Sequence, residues 1–292
     1  MESLSKPVEK IAIPLAIPIP AYLRDHHIGG LAVLPAVEAL QNLARSKPAA
    51  WGADPCRQVR AVFHHILEID PGAAEIPALH EHARYEDGRC LSRLTTLRSG
   101  GHLKFTRRME HASVWFTPAG REAAGVEADP PPDPVDAGVP ERPAFMVSDS
   151  RLYDELVPFG PAYRNARGDI FLAESGVSAT VSGGDFPEAA GPLGSPFPLD
   201  AAMHAACAWG QRYRNRVVFP IGFDRREILA PTRAGETYPC RITPLPDDGA
   251  VLRFDVRLYG RDRRPVEVIR GLKMRDIFGG KLTPPAWVRE GV

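Results

Sequence analysis

The sequence predicts an α+β protein built from two equivalent halves, each a helix followed by antiparallel strands. Helical periodicity occurs in two long stretches, residues 35–44 and 198–213, and a loop rich in proline and glycine precedes each of them. Extended runs broken by turn signals follow both stretches. The repeated order of loop, helix and strands indicates an internal duplication.

The first half begins with an apolar run, residues 11–23, that is interrupted by prolines and is predicted to be an extended strand. Val37, Leu40 and Leu43 then give the helix at 35–44 one apolar face. Strands are predicted at 59–69, 78–85, 90–97 and 103–116. Asp87-Gly88 and the Ser99–Gly101 stretch are typical of tight hairpin connections.

The second half contains a predicted short helix at 150–156, strands at 162–172 and 177–181, and the long helix at 198–213. Four further strands are predicted at 217–229, 236–243, 251–259 and 265–277. Between the halves, residues 118–143 combine many prolines with Ala, Gly, Asp and Glu, which is typical of an extended linker. The predicted organisation is therefore repeat 1–117, linker 118–143 and repeat 144–292.

Composition excludes several classes of function. Lys+Arg and Asp+Glu both number 36 in the 292 residues, so the zero net charge argues against nucleic acid as the main partner. The N-terminal apolar run is too short to span a membrane. The four cysteines lack C-x-x-C spacing, which argues against a structural zinc site or a disulfide scaffold and favours a reducing, cytoplasmic compartment.

The pattern His26-x-x-x-Gly30-x-x-x-x-Pro35 places an imidazole in a glycine-bearing loop just before a helix. Proline suits the first turn of a helix, and glycine tolerates positive φ and close backbone approach. The arrangement suits proton removal from a carbon acid next to backbone N–H groups. A purely structural loop with a glycine and a proline before a helix would give the same pattern. The catalytic hypothesis therefore requires a partner acid elsewhere in the chain.

The second long helix supplies that acid, because Asp200 and His204 lie one turn apart on one face. If the halves pack as a pseudo-twofold pair, both helix starts face a shared cleft and His26 meets Asp200. Alternatively, Asp200 is a carboxylate that only favours the helix dipole, worth ~0.3–1 kcal/mol.

These motifs resemble the dehydratase domains of polyketide and polyunsaturated fatty acid synthases, which have a double hot-dog fold. The His26–Pro35 pattern, Phe159-Gly160-Pro161 in place of Tyr-Gly-Pro, Asp200-x-x-x-His204 and the segment 218–223 near the family's L-P-F-x-W occur in the family's order. The resemblance implies that His26 removes the α-proton of a β-hydroxyacyl thioester and that Asp200 protonates the leaving hydroxyl. It also implies that His204 holds Asp200, that a backbone N–H near Gly30 stabilises the enolate-like oxygen, and that Phe159, Gly160 and Pro161 contact substrate.

This role requires a protonated Asp200, with a pKa raised about three units by burial in a dry pocket. The resemblance implies no bound cofactor, a substrate carried on the phosphopantetheine of an acyl carrier protein or coenzyme A, and neighbouring synthase domains or enzymes as partners. A homodimer and a free-standing or excised chain are both left open.

Two readings compete with dehydration. The same residues could instead catalyse hydration, double-bond migration or ring closure. Phe159 lacks the hydroxyl of the family's tyrosine, which favours a non-catalytic acyl-binding module. Phe159 is predicted to lie at the pocket rim. His80 and His82 share a strand face without an evident third ligand, so no metal site is predicted, and Cys207 is expected to be a packed thiol.

Overall fold

A computed structural model describes residues 6–99, 106–119, 145–246 and 249–290. The first half contains β1 (Glu9–Pro18), β2 (His27–Ile28), β3 (Leu31–Ala32), α1 (Ala36–Ser46), β4 (Ala53–Phe63), β5 (Glu75–Arg84), β6 (Cys90–Ser99) and β7 (Thr106–Pro118). The second contains β8 (Phe145–Ser148), α2 (Asp149–Arg151), β9 (Ala166–Ala173), β10 (Gly176–Ser182), α3 (Phe197–Arg214), β11 (Phe219–Ile228), β12 (Thr237–Leu245), β13 (Leu252–Tyr259), β14 (Pro265–Arg275) and α4 (Ala286–Glu290).

Twelve strands form one antiparallel sheet in the order β1-β5-β6-β7-β4-β11-β14-β13-β12-β10-β9-β8, and β2 and β3 form a separate two-stranded sheet in the described part of the chain. The halves meet where β4 pairs with β11. Outward from this junction, the first half runs β4, β7, β6, β5, β1, and the second runs β11, β14, β13, β12, β10 and then adds β9 and β8. Because the order is the same on both sides, the predicted duplication is present in the topology, and the α+β prediction is confirmed.

Each long helix covers the sheet of its own half. Helix α1 packs on β6 and β7, whereas α3 packs mainly on β9 and β10, and the two helices contact each other. Most of α1 is buried, with only Arg45 exposed, and all but the last turn of α3 is buried. A helix that is apolar nearly all round is expected at the centre of a core, and a single apolar cluster runs through both halves.

Element boundaries differ from the predictions in a few places. The N-terminal strand ends at Pro18, and residues 21–25 form a 3-10 turn before His26. The predicted short helix is a turn, Asp149–Arg151, that widens into a π turn over Leu152–Leu156. The strand predicted at 59–69 begins earlier and ends at Phe63. Nearly all of the predicted linker, and the predicted Ser99–Gly101 turn after Ser99, lie outside the described residues.

Candidate active site

A cavity of about 1060 Å³ lies at the junction of the halves. Apolar side chains from both halves form most of its wall, among them Leu34, Leu94, Ala112, Leu156, Met203 and Val218. Residues 218–221, from the segment near the family's L-P-F-x-W, are part of this wall. Ligand pockets typically measure roughly 300–1,000 Å³ and are mainly apolar with a few convergent polar groups, so the cavity has the size and character of a binding site.

His26 is held by Val33 through two contacts. The backbone N–H of Val33 donates to the His26 carbonyl at 2.9 Å, and His26 Nδ1 lies 3.2 Å from the Val33 carbonyl oxygen. A carbonyl oxygen only accepts hydrogen bonds, so Nδ1 carries the proton in a neutral His26. The free lone pair of Nε2 is therefore available at the cavity.

Asp200 and His204 lie in the first turns of α3, and their side chains are buried. His26 Nε2 is 3.9 Å from Asp200 Oδ1, and His204 Nε2 is 3.0 Å from Asp200 Oδ2. All three residues line the cavity. The structure therefore brings together the three polar residues that the sequence placed in different halves.

Burial controls the ionisation of His26. It lowers the pKa of His26 to about 4; Asp200 opposes this shift and His204 reinforces it. A neutral imidazole can accept a proton, whereas an imidazolium cannot. His26 is therefore in the form that a general base requires at neutral pH.

Asp200 departs from the expectation of a raised pKa. Burial raises its pKa, but the neighbouring imidazoles of His204 and His26 together bring it below the ordinary value. Asp200 is buried, as its predicted role requires. The raised pKa was wrong because the sequence argument did not count two imidazoles next to one carboxyl.

The Phe159-Gly160-Pro161 stretch docks on the residue before His26. The N–H of Gly160 donates to the Asp25 carbonyl at 2.8 Å, and the N–H of Ala162 donates to Asp25 Oδ2 at 2.8 Å. A Cβ on Gly160 would lie 2.6 Å from the Asp25 carboxyl group, so only glycine fits there. Pro161 begins a 3-10 turn. The stretch thereby ties the second half to the His26 loop.

Phe159 lies beside the candidate dyad of His26 and Asp200, and not at the rim of the cavity. Its ring centroid is 4.4 Å from that of His26 and 4.8 Å from that of His204, and the side chain is buried while lining the cavity. The expected rim position is therefore wrong. Docking of Gly160 on Asp25 draws the preceding ring inward against His26.

Gly30 and Pro35 shape the loop and do not line the cavity. Gly29 and Gly30, with φ of +60° and +82°, form the two-residue turn between β2 and β3, and Gly29 is the one that lines the cavity. Positive φ at both positions matches a type I′ hairpin turn. The Pro35 carbonyl accepts the first hydrogen bonds of α1 from Glu38 and Ala39.

Three residues around the site were not predicted: Asp25, Tyr153 and Glu38. Tyr153 Oη lies 3.3 Å from His204 Nδ1. Glu38 is buried on α1, accepts a hydrogen bond from the Tyr22 hydroxyl at 3.3 Å, and has its pKa raised to about 7 by burial. In the sequence, only the adjacency of Asp25 to His26 hinted at any of them.

His80, His82 and Cys207 do not belong to a metal site within the described residues. His80 and His82 are buried in the first half and do not line the cavity. Within the described ranges, no cluster of three or more His, Cys, Asp or Glu residues could hold a metal ion. Cys207 is buried in the cavity wall, where burial raises its pKa. No helix in the described part of the chain is long and apolar enough to cross a membrane.

Comparison with solved structures identifies the fold. The chain superposes on the dehydratase domain of a mycocerosic acid synthase-like polyketide synthase with a TM-score of 0.72, 19% identity and 93% of each chain covered. The fold is that of polyketide synthase dehydratase domains. The double hot-dog prediction is therefore confirmed.

Two further structures share this double hot-dog fold. An N-terminal dehydratase from the difficidin assembly line matches with a TM-score of 0.70 and 14% identity, over 92% of this chain and 94% of the other. A structure from work on dehydratase substrate selection in the borrelidin and fluvirucin polyketide synthases matches at 0.65 and 22% identity, over 95% and 93%. No protein-family model and no curated protein matches the sequence.

Proposed function

We propose that this chain is a dehydratase that removes water from a β-hydroxyacyl thioester to give an enoyl thioester. The observation that carries the proposal is the 3.9 Å approach of His26 Nε2 to Asp200 Oδ1 in the wall of a large apolar cavity. Dehydration needs a base at the α-carbon and an acid at the hydroxyl on the next carbon. Two groups this close can address adjacent carbons of one substrate.

In this proposal His26 is the base. Its Nδ1 proton is engaged by the Val33 carbonyl, so Nε2 accepts the α-proton. Thioesters make the α-proton acidic without a bound cofactor. Gly29, whose backbone lines the cavity at the turn after His26, is the nearest part of the glycine pair to a developing enolate oxygen.

Asp200 is the acid for the leaving hydroxyl, and His204 orients its carboxyl. Because both reacting groups reach the substrate from one wall, the geometry favours loss of hydrogen and hydroxyl from the same face. The cavity can hold an extended acyl chain next to these groups. Dehydratase domains of polyketide synthases share the fold, which supports an acyl carrier protein as the source of the thioester and other synthase domains as partners.

Mass spectrometry of a panel of β-hydroxyacyl thioesters, on pantetheine, coenzyme A and an acyl carrier protein, tests the proposal. We expect loss of water with the parent protein. His26→Ala and Asp200→Asn should each lower the rate by about 10²–10⁴, the range for a general base or acid. Asp185→Asn, on the surface, is the matched control and should keep the parent rate.

Other outcomes select the competing readings. Binding of acyl thioesters without loss of water from any of them would favour the acyl-binding module, for which the ring of Phe159 without a hydroxyl is the structural argument. Water loss at the parent rate in His26→Ala would refute the base assignment. Conversion of enoyl thioesters by ring closure or double-bond migration would assign the same dyad to that reaction.

A further inference from the structure

Tyr153 connects the candidate dyad to the backbone of β9. Its hydroxyl oxygen accepts the N–H of Ala166 at 2.7 Å and lies 3.3 Å from His204 Nδ1, with the two rings edge to face. A backbone N–H can only donate, so the tyrosine's own hydrogen is left for His204 Nδ1. Burial raises the pKa of Tyr153, so the hydroxyl keeps that hydrogen.

This direction determines the tautomer of His204. A hydrogen bond donated to Nδ1 leaves the ring proton on Nε2, the atom that lies 3.0 Å from Asp200 Oδ2. Neither Nε2 nor Oδ2 has another partner among the described residues. Oδ2 is therefore committed to His204, and Oδ1 is the oxygen on the side of His26.

We propose that Tyr153 is a positioning residue that holds His204 as the neutral Nε2–H tautomer and thereby reserves Oδ1 of Asp200 for the proton given to the leaving hydroxyl. The inference rests on the proposed dehydratase function. It also addresses the protonated Asp200 that the proposed step needs. Burial acts to raise the pKa of Asp200, and a positive charge on His204 is the first of the causes that lower it, so a neutral His204 removes that cause.

These groups account for every proton that moves in the proposed reaction. His26 Nε2 takes the α-proton, and the electrons of the Cα–H bond form the double bond to Cβ. The Cβ–O bond breaks with its pair on oxygen, which takes the proton from Asp200 Oδ1 and leaves as water. An imidazolium at His26 and a carboxylate at Asp200 then face each other across 3.9 Å. A proton passed from Nε2 to Oδ1 through that water restores both.

The ionisable groups around His204 are Asp200 on its own helix, Tyr153 on the π turn and His26 on the first half. Without the Tyr153 hydroxyl, Nδ1 is free to be protonated. An imidazolium at His204 would draw the proton from Asp200, because an opposite charge at this distance lowers a carboxyl pKa by about 1–3 units.

Tyr153→Phe keeps the ring and removes the donor. We expect kcat to fall about tenfold with KM within twofold, and the alkaline limb of the pH profile to move down by about one pH unit or more. Tyr213→Phe is the matched control, because it also removes one partly buried hydroxyl donor, which here donates to the Leu172 carbonyl at 3.2 Å, but lies away from the dyad. It should leave the pH profile in place.

The same substitution in a His204→Gln protein separates a positioning role of Tyr153 from a packing role. An amide at position 204 has no tautomer to set, so adding Tyr153→Phe to His204→Gln should change kcat and the pH profile by less than twofold and a few tenths of a unit. A full additional loss in that double variant would overturn the proposal, because the tyrosine would then act independently of His204.

The decisive experiment reads the tautomer itself by ¹⁵N NMR of histidine-labelled protein near neutral pH. The parent should show His204 with a bare Nδ1 and a protonated Nε2, and Tyr153→Phe should show protonation of both. An imidazolium or an Nδ1–H tautomer in the parent would overturn the inference, even if Tyr153→Phe does not fold. Because this readout needs no turnover, its failure is distinguishable from failure of the dehydratase proposal, which the thioester panel reports.

Discussion

The described residues contain two clusters of buried histidines, and one of them lines the large cavity at the junction of the halves. At the junction of the halves, His26 and His204 flank Asp200. In the first half, His80 on β5 is next to His82, with ring centroids 6.5 Å apart. Burial lowers the pKa of His26, His80 and His82 to about 4 in every case. A shifted pKa is therefore common to both clusters and does not mark the site.

The partners of the ring nitrogens make the difference. His80 Nδ1 and His82 Nε2 both contact Ser46 Oγ, at 2.7 and 3.1 Å, and His82 Nδ1 contacts Ser92 Oγ at 2.7 Å. Hydroxyls donate or accept as needed, so they suit a polar network inside a core, in which His80 Nε2 alone of the four ring nitrogens has no partner among the described residues. His26 instead pairs one nitrogen with a carbonyl and leaves the other open to the cavity, opposite a carboxyl. An open lone pair beside an acid is what distinguishes a candidate base from a structural histidine.

The largest expected effect is a loss of stability at acid pH that is caused by the cluster of His80 and His82. The unfolded chain takes up a histidine proton near pH 6.5, whereas folded His80 and His82 do so only near pH 4. Stability is therefore complete above about pH 6.5 and is lost as pH falls toward 4. Each histidine contributes up to about 3 kcal/mol, since one pKa unit corresponds to ~1.4 kcal/mol. Urea unfolding between pH 7.5 and 4.5 measures the loss.

Replacing both histidines, His80→Gln with His82→Gln, should flatten this pH dependence while water loss by the dyad persists near neutral pH. His26→Gln should flatten it less, because only one buried histidine is removed, yet it should stop water loss. An unchanged pH dependence in the double variant would show that protonation of these rings does not drive acid unfolding, and the stated contrast between the clusters would fail.

A smaller effect is expected from Ser46→Ala. The Ser46 hydroxyl contacts one nitrogen of each histidine, so its removal leaves two buried polar atoms without partners. Loss of a partner from a buried polar group costs about 1–3 kcal/mol. Urea unfolding at neutral pH should show a decrease in this range with no change in kcat. Ser175→Ala, at an exposed turn, should change neither quantity. Full stability in Ser46→Ala would mean that the network adds nothing to the core.

Periodicity and turn chemistry predicted much of the fold before any coordinate was known. The two helices and most strands were predicted near their observed positions because their apolar faces pack on the sheet, which imposes a regular spacing on the sequence. The pairing of β4 with β11 was not predictable. It depends on contacts between residues far apart in the chain, which no local pattern encodes.

Residues of the candidate site were predicted where they lie in motifs, and missed where only packing brings them to the cavity. His26, Asp200 and His204 were identified from their spacing and from the resemblance to dehydratase domains. Their proximity needed the packing of two halves, and Tyr153 has no sequence signal beyond its place in a predicted short helix. The direction of the pKa shift at Asp200 was also out of reach, because it depends on which charges surround a buried carboxyl.

The smallest expected effect concerns Phe159, whose ring fills the space between the two imidazoles of the open cluster. In Phe159→Tyr the ring keeps its contacts and adds a hydroxyl where the side chain already borders the cavity. The free energy of unfolding should therefore change by less than ~1 kcal/mol. A new hydrogen bond to the substrate oxygen is worth about 0.5–1.5 kcal/mol, so turnover or substrate preference should change by up to about tenfold.

Steady-state kinetics on the thioester panel, together with urea unfolding, measure both quantities for this variant. Phe171→Tyr on β9, away from the cavity, is the matched control and should alter neither the rate nor the substrate preference. A decrease in stability of more than ~2 kcal/mol with unchanged kinetics would mean that the ring is packed too tightly to accept an oxygen. Phe159 would then belong with His80 and His82 as a structural element of the core, and the open cluster would consist of His26, Asp200 and His204 alone.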